Sequence, residues 1–271
     1  MINVADLAIT SLDVISAYNL DGTPAFVLDE LQDATISNTE EKEEVTGRGG
    51  RRLSSLKKNK GVTVSGTNGL VSAGLLETQV GDDFVQANDA AVKWIDYLTV
   101  KNNAATTEWI AAGTAGAEIE ALYVRGADGT AGTQMTQASA VASGKFTYNP
   151  TTKALAFNEN ELEDGTEIIV YYTRKLAAHV LTNDSTNYSR KLRLYIDGSA
   201  EDKCGNIYHV QFLIPKADFN GEFDLELGDT QAVHSFEAES LAGSVCGSGA
   251  ASGALWTYTV FGVDAADYTG G

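Results

Sequence analysis

Between residues 191 and 262 the apolar positions fall on every second residue. KLRLYIDG (191–198), NIYHVQFLIP (206–215) and ALWTYTVFG (254–262) read as strands, with Tyr208, Val210, Phe212 and Ile214 on one face of the second. In GEFDLELGD (221–229), Phe223, Leu225 and Leu227 alternate with Asp224 and Glu226. In VHSFEAES (233–240), Phe236 and Ala238 alternate with Glu237 and Glu239. A period of two puts apolar side chains on one face of a sheet and carboxylates on the other. The short connection between these two acidic segments predicts an antiparallel hairpin.

The same pattern appears earlier in shorter runs. Strands are expected at 62–65, 94–100 (WIDYLTV), 119–124, 145–148, 154–157 and 167–173. Asn149-Pro150-Thr151-Thr152 is a turn signal that makes 145–157 a hairpin. One segment reads as helix: Asn68 is a candidate cap, Leu70, Leu75 and Leu76 would share a face, and Gly81 would end it. Residues 102–118 and 126–144, rich in Ala, Gly, Thr and Ser, read as loops. The expected fold is therefore mainly β, a β-sandwich or barrel with a short flanking α-helix and a long loop at about 37–60. Residues 1–103 and 174–271 are expected to form the β body. Residues 104–173 are expected to form a smaller β module or insertion.

Charge changes this picture. The 271 residues carry 19 Lys and Arg against 37 Asp and Glu, a net charge of −18. Yet SNTEEKEEVTGRGGRRLSSLKKNK (37–60) concentrates cations. Glu40, Glu41, Glu43 and Glu44 are followed by Arg48, Arg51, Arg52, Lys57, Lys58 and Lys60. Duplex binding needs clustered cations to displace phosphate counterions, and an acidic body repels DNA. No aromatic residue interleaves the basic ones, so a single-strand platform is not expected either. The stretch reads instead as a bipolar assembly loop. Each end would meet the opposite charge on a neighbouring subunit, and Gly47, Gly49 and Gly50 would let it order on contact.

Catalytic chemistry finds no constellation. His179, His209 and His234 lack metal-ligand spacing and read as structural. No G-x-S-x-G elbow and no Walker loop occurs. Asp82-Asp83, Glu161/Glu163/Asp164 and Asp224/Glu226 are carboxylate clusters without the ordered loop a calcium site needs. No metal, no cofactor and no enzymatic activity is expected. The N-terminus lacks the pattern of a secretory signal. No run approaches the roughly 18 apolar residues of a membrane span. Cys204 and Cys246 are too few for a disulfide framework or a zinc site and read as cytosolic thiols packed as small hydrophobes. Trp94, Trp109 and Trp256 are either core residues or stacking platforms.

Two segments carry a family resemblance. The first is ELQDATISNTEEKEEVTGRGGRRLSSLKKNKGVTVSGTNGLVSAGLLETQVG (30–81). It joins an acidic-to-basic loop, the strand Lys60-Gly61-Val62-Thr63-Val64-Ser65, and a leucine-rich helix ending in glycine. The second is IYHVQFLIPKADFNGEFDLELGDTQAVHSFEAES (207–240), with Pro215-Lys216-Ala217 ahead of the acidic strands. Together they resemble the tail tube (major tail) proteins of long-tailed bacteriophages.

The resemblance implies a virion protein made in the host cytoplasm. Its subunits would close into rings, typically sixfold, that stack into a hollow tail tube. Tape measure and terminator proteins would be partners, and genomic DNA would transit the lumen without specific binding. Asp224, Glu226, Glu237 and Glu239 are then the candidates to line an acidic lumen. The competing readings are a carbohydrate- or host-binding module of a virion, and the tube of a contractile injection system.

Overall fold

The computed structural model describes residues 6–225, 233–242 and 253–262. Among these the chain is mainly β, with one short helix. In chain order the first elements are β1 (Leu7–Asn19), β2 (Pro24–Leu28), β3 (Leu31–Thr46), β4 (Arg52–Asn68) and α1 (Ala73–Val80). Next come β5 (Val85–Thr99), β6 (Ala104–Thr106), β7 (Ile119–Arg125), β8 (Ala131–Gln137), β9 (Lys145–Asn149), β10 (Ala154–Phe157) and β11 (Glu167–Val180). The last are β12 (Lys191–Asp202), β13 (Ile207–Phe219), β14 (His234–Ser240) and β15 (Thr257–Gly262).

The chain divides into two compact units, one of residues 1–84 with 181–271 and one of Val85–Val180. The second is wider than the 104–173 expected, because β5 and β11 pair from Val85–Val180 to Thr99–Glu167 and carry their whole length into one sheet.

In the first unit the sheet runs β2-β1-β12-β13-β14-β4-β3, with β15 also paired to β13. The alternation of β12 has a direct cause: Leu192, Leu194 and Ile196 point into a core with Ile15, Leu28, Val64, Leu75, Ile214 and Phe236. Burying each such side chain stabilises the fold by roughly 1.5–3 kcal/mol, which fixes the register, since a one-residue slip would expose the whole row.

The helix starts later than the sequence suggests. Its cap is Ser72, whose Oγ accepts from Leu75 N, and not Asn68, which lies in β4. Leu70 precedes the helix and is exposed; the helix buries Leu75, Thr78, Gln79 and Val80. Gly81 ends it at φ +81°, and a Cβ there would lie 2.0 Å from Tyr188 O. Both the left-handed conformation and the close backbone demand glycine.

The second unit has the order β5-β11-β7-β8-β9-β10-β6. The sheet curls so that its two ends, β5 and β6, are joined by the tight turn in which Lys101 and Ala104 exchange backbone hydrogen bonds. Residues 145–157 form the expected hairpin, with Phe157 opposite Phe146. Parts of the expected loops are strands: β6 lies within 102–118 and β8 within 126–144. The composition misled: Ala105 of β6 is buried in the core, and a Cβ at Gly132 of β8 would lie 2.7 Å from Val124 O. Leu122, Phe146, Leu155, Ile168, Val170 and Tyr172 form the separate core.

Candidate functional site

The charged stretch 37–60 is no loop. It is the outer half of the β3–β4 hairpin, paired from Leu31–Asn68 to Thr46–Arg52. The turn spans Gly47 to Arg51. Gly49 and Gly50 both have positive φ, and Gly47 N donates to Arg51 O at 2.8 Å. Consecutive left-handed positions are cheap only for glycine, so Gly49-Gly50 sets the reversal.

Charge then sets the pairing. Arg52 pairs with Glu44, Lys57 Nζ lies 3.0 Å from Glu40, and Lys58 Nζ lies 2.8 Å from Glu43. Asn59 Nδ2 donates to Glu41. Half of the basic residues expected to meet a neighbour thus meet their own acidic strand. Among the described residues Arg48, Arg51 and Lys60 have no carboxylate partner.

Apart from Gly47, every residue from 37 to 60 is exposed, Leu53 at 67% and Leu56 at 57% among them. Exposed ion pairs contribute only about 0–1 kcal/mol each. They select a register without giving the ribbon a core, and a two-stranded ribbon without one is marginal in water.

The acidic candidates separate into two groups. Glu237 and Glu239 are exposed on one face of β14, whose opposite face buries Phe236 and Ala238. β14 lies between β4 and the end of β13, so Glu239 faces Asp218 on one side and Thr63 on the other. Lys191 Nζ lies 3.4 Å from Asp218, the residue opposite Glu239.

Residues 221–224 are not the strand that their alternation predicts. Asn220 Oδ1 accepts from Glu222 N in a tight turn, and pairing with β14 resumes only at Leu225 opposite His234. Asp224 is exposed, and with Glu237, Glu222 and Asp33 it lines an open concavity of about 780 Å³. Glu226 and Leu227 lie outside the described residues.

Two features escaped the sequence reading. The first is an apolar mouth of about 480 Å³ between β1, β12, β13 and the root of β3. Ile9, Leu12, Ile36, Val210, Phe212 and Trp256 line it, together with Asp33 and Asp197. These residues are scattered from 9 to 256, so no local pattern announces them.

The second is a buried polar network in the other unit. Asp96 accepts from Trp94 Nε1 at 3.1 Å, Glu108 N at 2.8 Å and Tyr172 Oη at 2.9 Å. Tyr172 Oη in turn accepts from Trp109 N. Burial, with the carboxylate beside it, pushes the Tyr172 phenol well above the usual tyrosine range. Its role is structural, since every polar atom named is already paired.

The aromatic residues are similarly committed. Arg174 Cζ lies 3.9 Å from the centre of the Trp109 ring and 5.0 Å from that of Trp94, and Trp256 packs on Phe212. Among the described residues no group of three His, Cys, Asp or Glu is arranged to hold a metal ion, and no helix is long and apolar enough to cross a membrane.

No curated protein matches this sequence. The model of the YomU/Tube protein family does, over residues 8–251, a span that takes in the charged hairpin, the acidic face and the whole second unit. A match over that much of the chain makes it a member of the YomU/Tube protein family of phage tube-type proteins.

Proposed function

We propose that this chain is a non-enzymatic structural subunit of a phage tail tube, which assembles with copies of itself into rings that stack around a DNA-conducting lumen. The observation that carries this reading is the β3–β4 hairpin. It projects beyond the sheet with both faces exposed, carrying two uncovered leucines and two arginines, Arg48 and Arg51, that have no carboxylate partner among the described residues. A ribbon of that kind gains its cover from another molecule, and the acidic body offers copies of itself as partners.

The face of Glu237 and Glu239, with Asp224 beside it, is the surface suited to the lumen. Carboxylates give phosphate nothing to bind, so DNA passes without adhering. Sixfold rings, with tape measure and terminator proteins as further partners, complete the proposal.

Electron microscopy of the purified full chain tests it. Rings and tubes that grow with concentration are expected. Dispersed monomers across a wide range of concentration and ionic strength would overturn it.

A further inference from the structure

We infer that the hairpin tip of one copy inserts Leu53 and Leu56 into the apolar mouth of the next, with Arg48 and Arg51 set against Asp33 and Asp197. This rests on the self-assembly reading above and names the contact that would drive it.

The two surfaces complement each other in shape class and in charge. The tip carries exposed leucines beside cations that have no carboxylate partner among the described residues. The mouth is a concave, largely apolar surface whose lining includes two carboxylates, Asp33 and Asp197. Neither Asp33 nor Asp197 has a cationic partner among the described residues; Asp33 Oδ1 accepts from Thr67 N, and Asp197 Oδ1 accepts from Gln211 Nε2 at 2.7 Å. Each surface lacks what the other supplies. Apolar anchors at the centre of a contact, with opposite charges at its rim, are the arrangement that gives an interface both affinity and orientation.

The contact cannot form within one copy. The root of the hairpin, at Ala34, Ile36 and Asn38, lines the mouth itself. The turn begins nine residues after Asn38, roughly 30 Å away at ~3.3 Å per residue. A paired ribbon does not fold back over that distance. Tip and mouth are therefore distinct patches that meet head to tail between copies, and a heterologous contact of this sort closes into rings or propagates as a filament.

Hydroxyl-radical footprinting of the unmodified full chain, before and after assembly, tests the pairing. Leu53, Leu56, Phe212 and Trp256 should lose reactivity together, each by at least severalfold. Assemblies in which either the tip or the mouth stays reactive would overturn this contact and leave the tube proposal standing. Failure of the chain to assemble at all would overturn both.

Charge reversal gives the second arm. Arg51→Glu and Asp197→Lys should each cut the assembled fraction at least tenfold at fixed concentration, with circular dichroism unchanged. Combined in one chain they should restore it. An unrestored double variant, or single variants that assemble normally, would likewise sink the pairing.

Discussion

His234 Nε2 lies 2.7 Å from Gln79 Oε1, which ties α1 to β14 through a buried imidazole. The tautomer follows from the neighbours. Ser72 N donates to Nδ1, so the proton sits on Nε2 and is donated to Gln79 Oε1. Gln79 Nε2 continues the chain to Ser235 O at 2.9 Å. The arrangement suits a neutral ring, and burial holds the His234 pKa below its ordinary value.

The sign of the pH effect follows. Below about pH 6.5 the unfolded chain takes up a proton at this residue that the folded chain resists. The contribution to stability is fully present above that pH and is lost as pH falls towards the lowered folded value. Denaturant melts should give a lower midpoint at pH 5.5 than at pH 7.5, and His234→Asn should remove that part of the difference. Gln79→Ala should cost about 1–3 kcal/mol at neutral pH, because it strands the buried imidazole N–H and the Ser235 carbonyl. A melt indifferent to Gln79→Ala would show that the network is not holding the helix.

The second unit rests on Asp96. Asp96→Ala leaves three donors, from Trp94, Glu108 and Tyr172, without their acceptor. The expected loss is about 3 kcal/mol or more, at roughly 1–3 kcal/mol for each stranded group. Asp96→Asn keeps one oxygen acceptor and should lose less. Tryptophan fluorescence during denaturation reads both, since Trp94 and Trp109 belong to the network and to the Arg174 sandwich. Equal midpoints for Asp96→Ala and the wild type would refute the assignment.

How much of this the sequence shows depends on how many faces of a strand are buried. β12 buries one face and presents the other, so Leu192, Leu194 and Ile196 announce it. The outer hairpin buries neither face. Nothing imposes a period of two there, and 37–60 reads as a loop although its strands are long. The signal available was charge order: glutamates before a glycine turn and cations after it, at positions that meet when the chain folds back. The helix boundary failed for another reason. Asn68 is a good cap by type, but its backbone pairs with His234 and Leu31, which keeps it in β4. The apolar mouth joins residues from four strands and a loop, and no window of sequence contains it.

The ion pairs within the hairpin refine which charges would drive the proposed assembly. Arg52, Lys57 and Lys58 already have partners in cis, so replacing them mainly loosens the ribbon. Arg48 and Arg51 have none among the described residues. Arg48→Glu with Arg51→Glu should abolish tubes while the monomer stays folded, whereas Arg52→Ala should weaken them severalfold. Salt should act in the same direction. The screening length falls from about 10 Å at 0.1 M to about 3 Å at 1 M, so assembly driven by exposed pairs declines over that range. Sedimentation at stepped salt concentrations measures this, and tubes that form equally well at 1 M would assign the contact to apolar burial alone.

The acidic face gives the last test, and it separates a conducting surface from one that is merely solvated. Glu237 and Glu239 point away from the core of the first unit and are not paired with any cation among the described residues. Exchanging them should therefore leave folding intact while inverting the charge of the face. In the proposed tube, Glu237→Lys with Glu239→Lys repeats around every ring and supplies cations along the lumen. Assembled variant should retain duplex DNA at about 0.1 M salt where the wild type lets it pass, and retention should fall steeply as salt rises, as counterion release requires. Gel retention with assembled protein reads both arms. A variant that assembles but still ignores DNA would place these carboxylates on the outside of the tube, and wild-type retention of DNA would remove the physical reason for an acidic lumen.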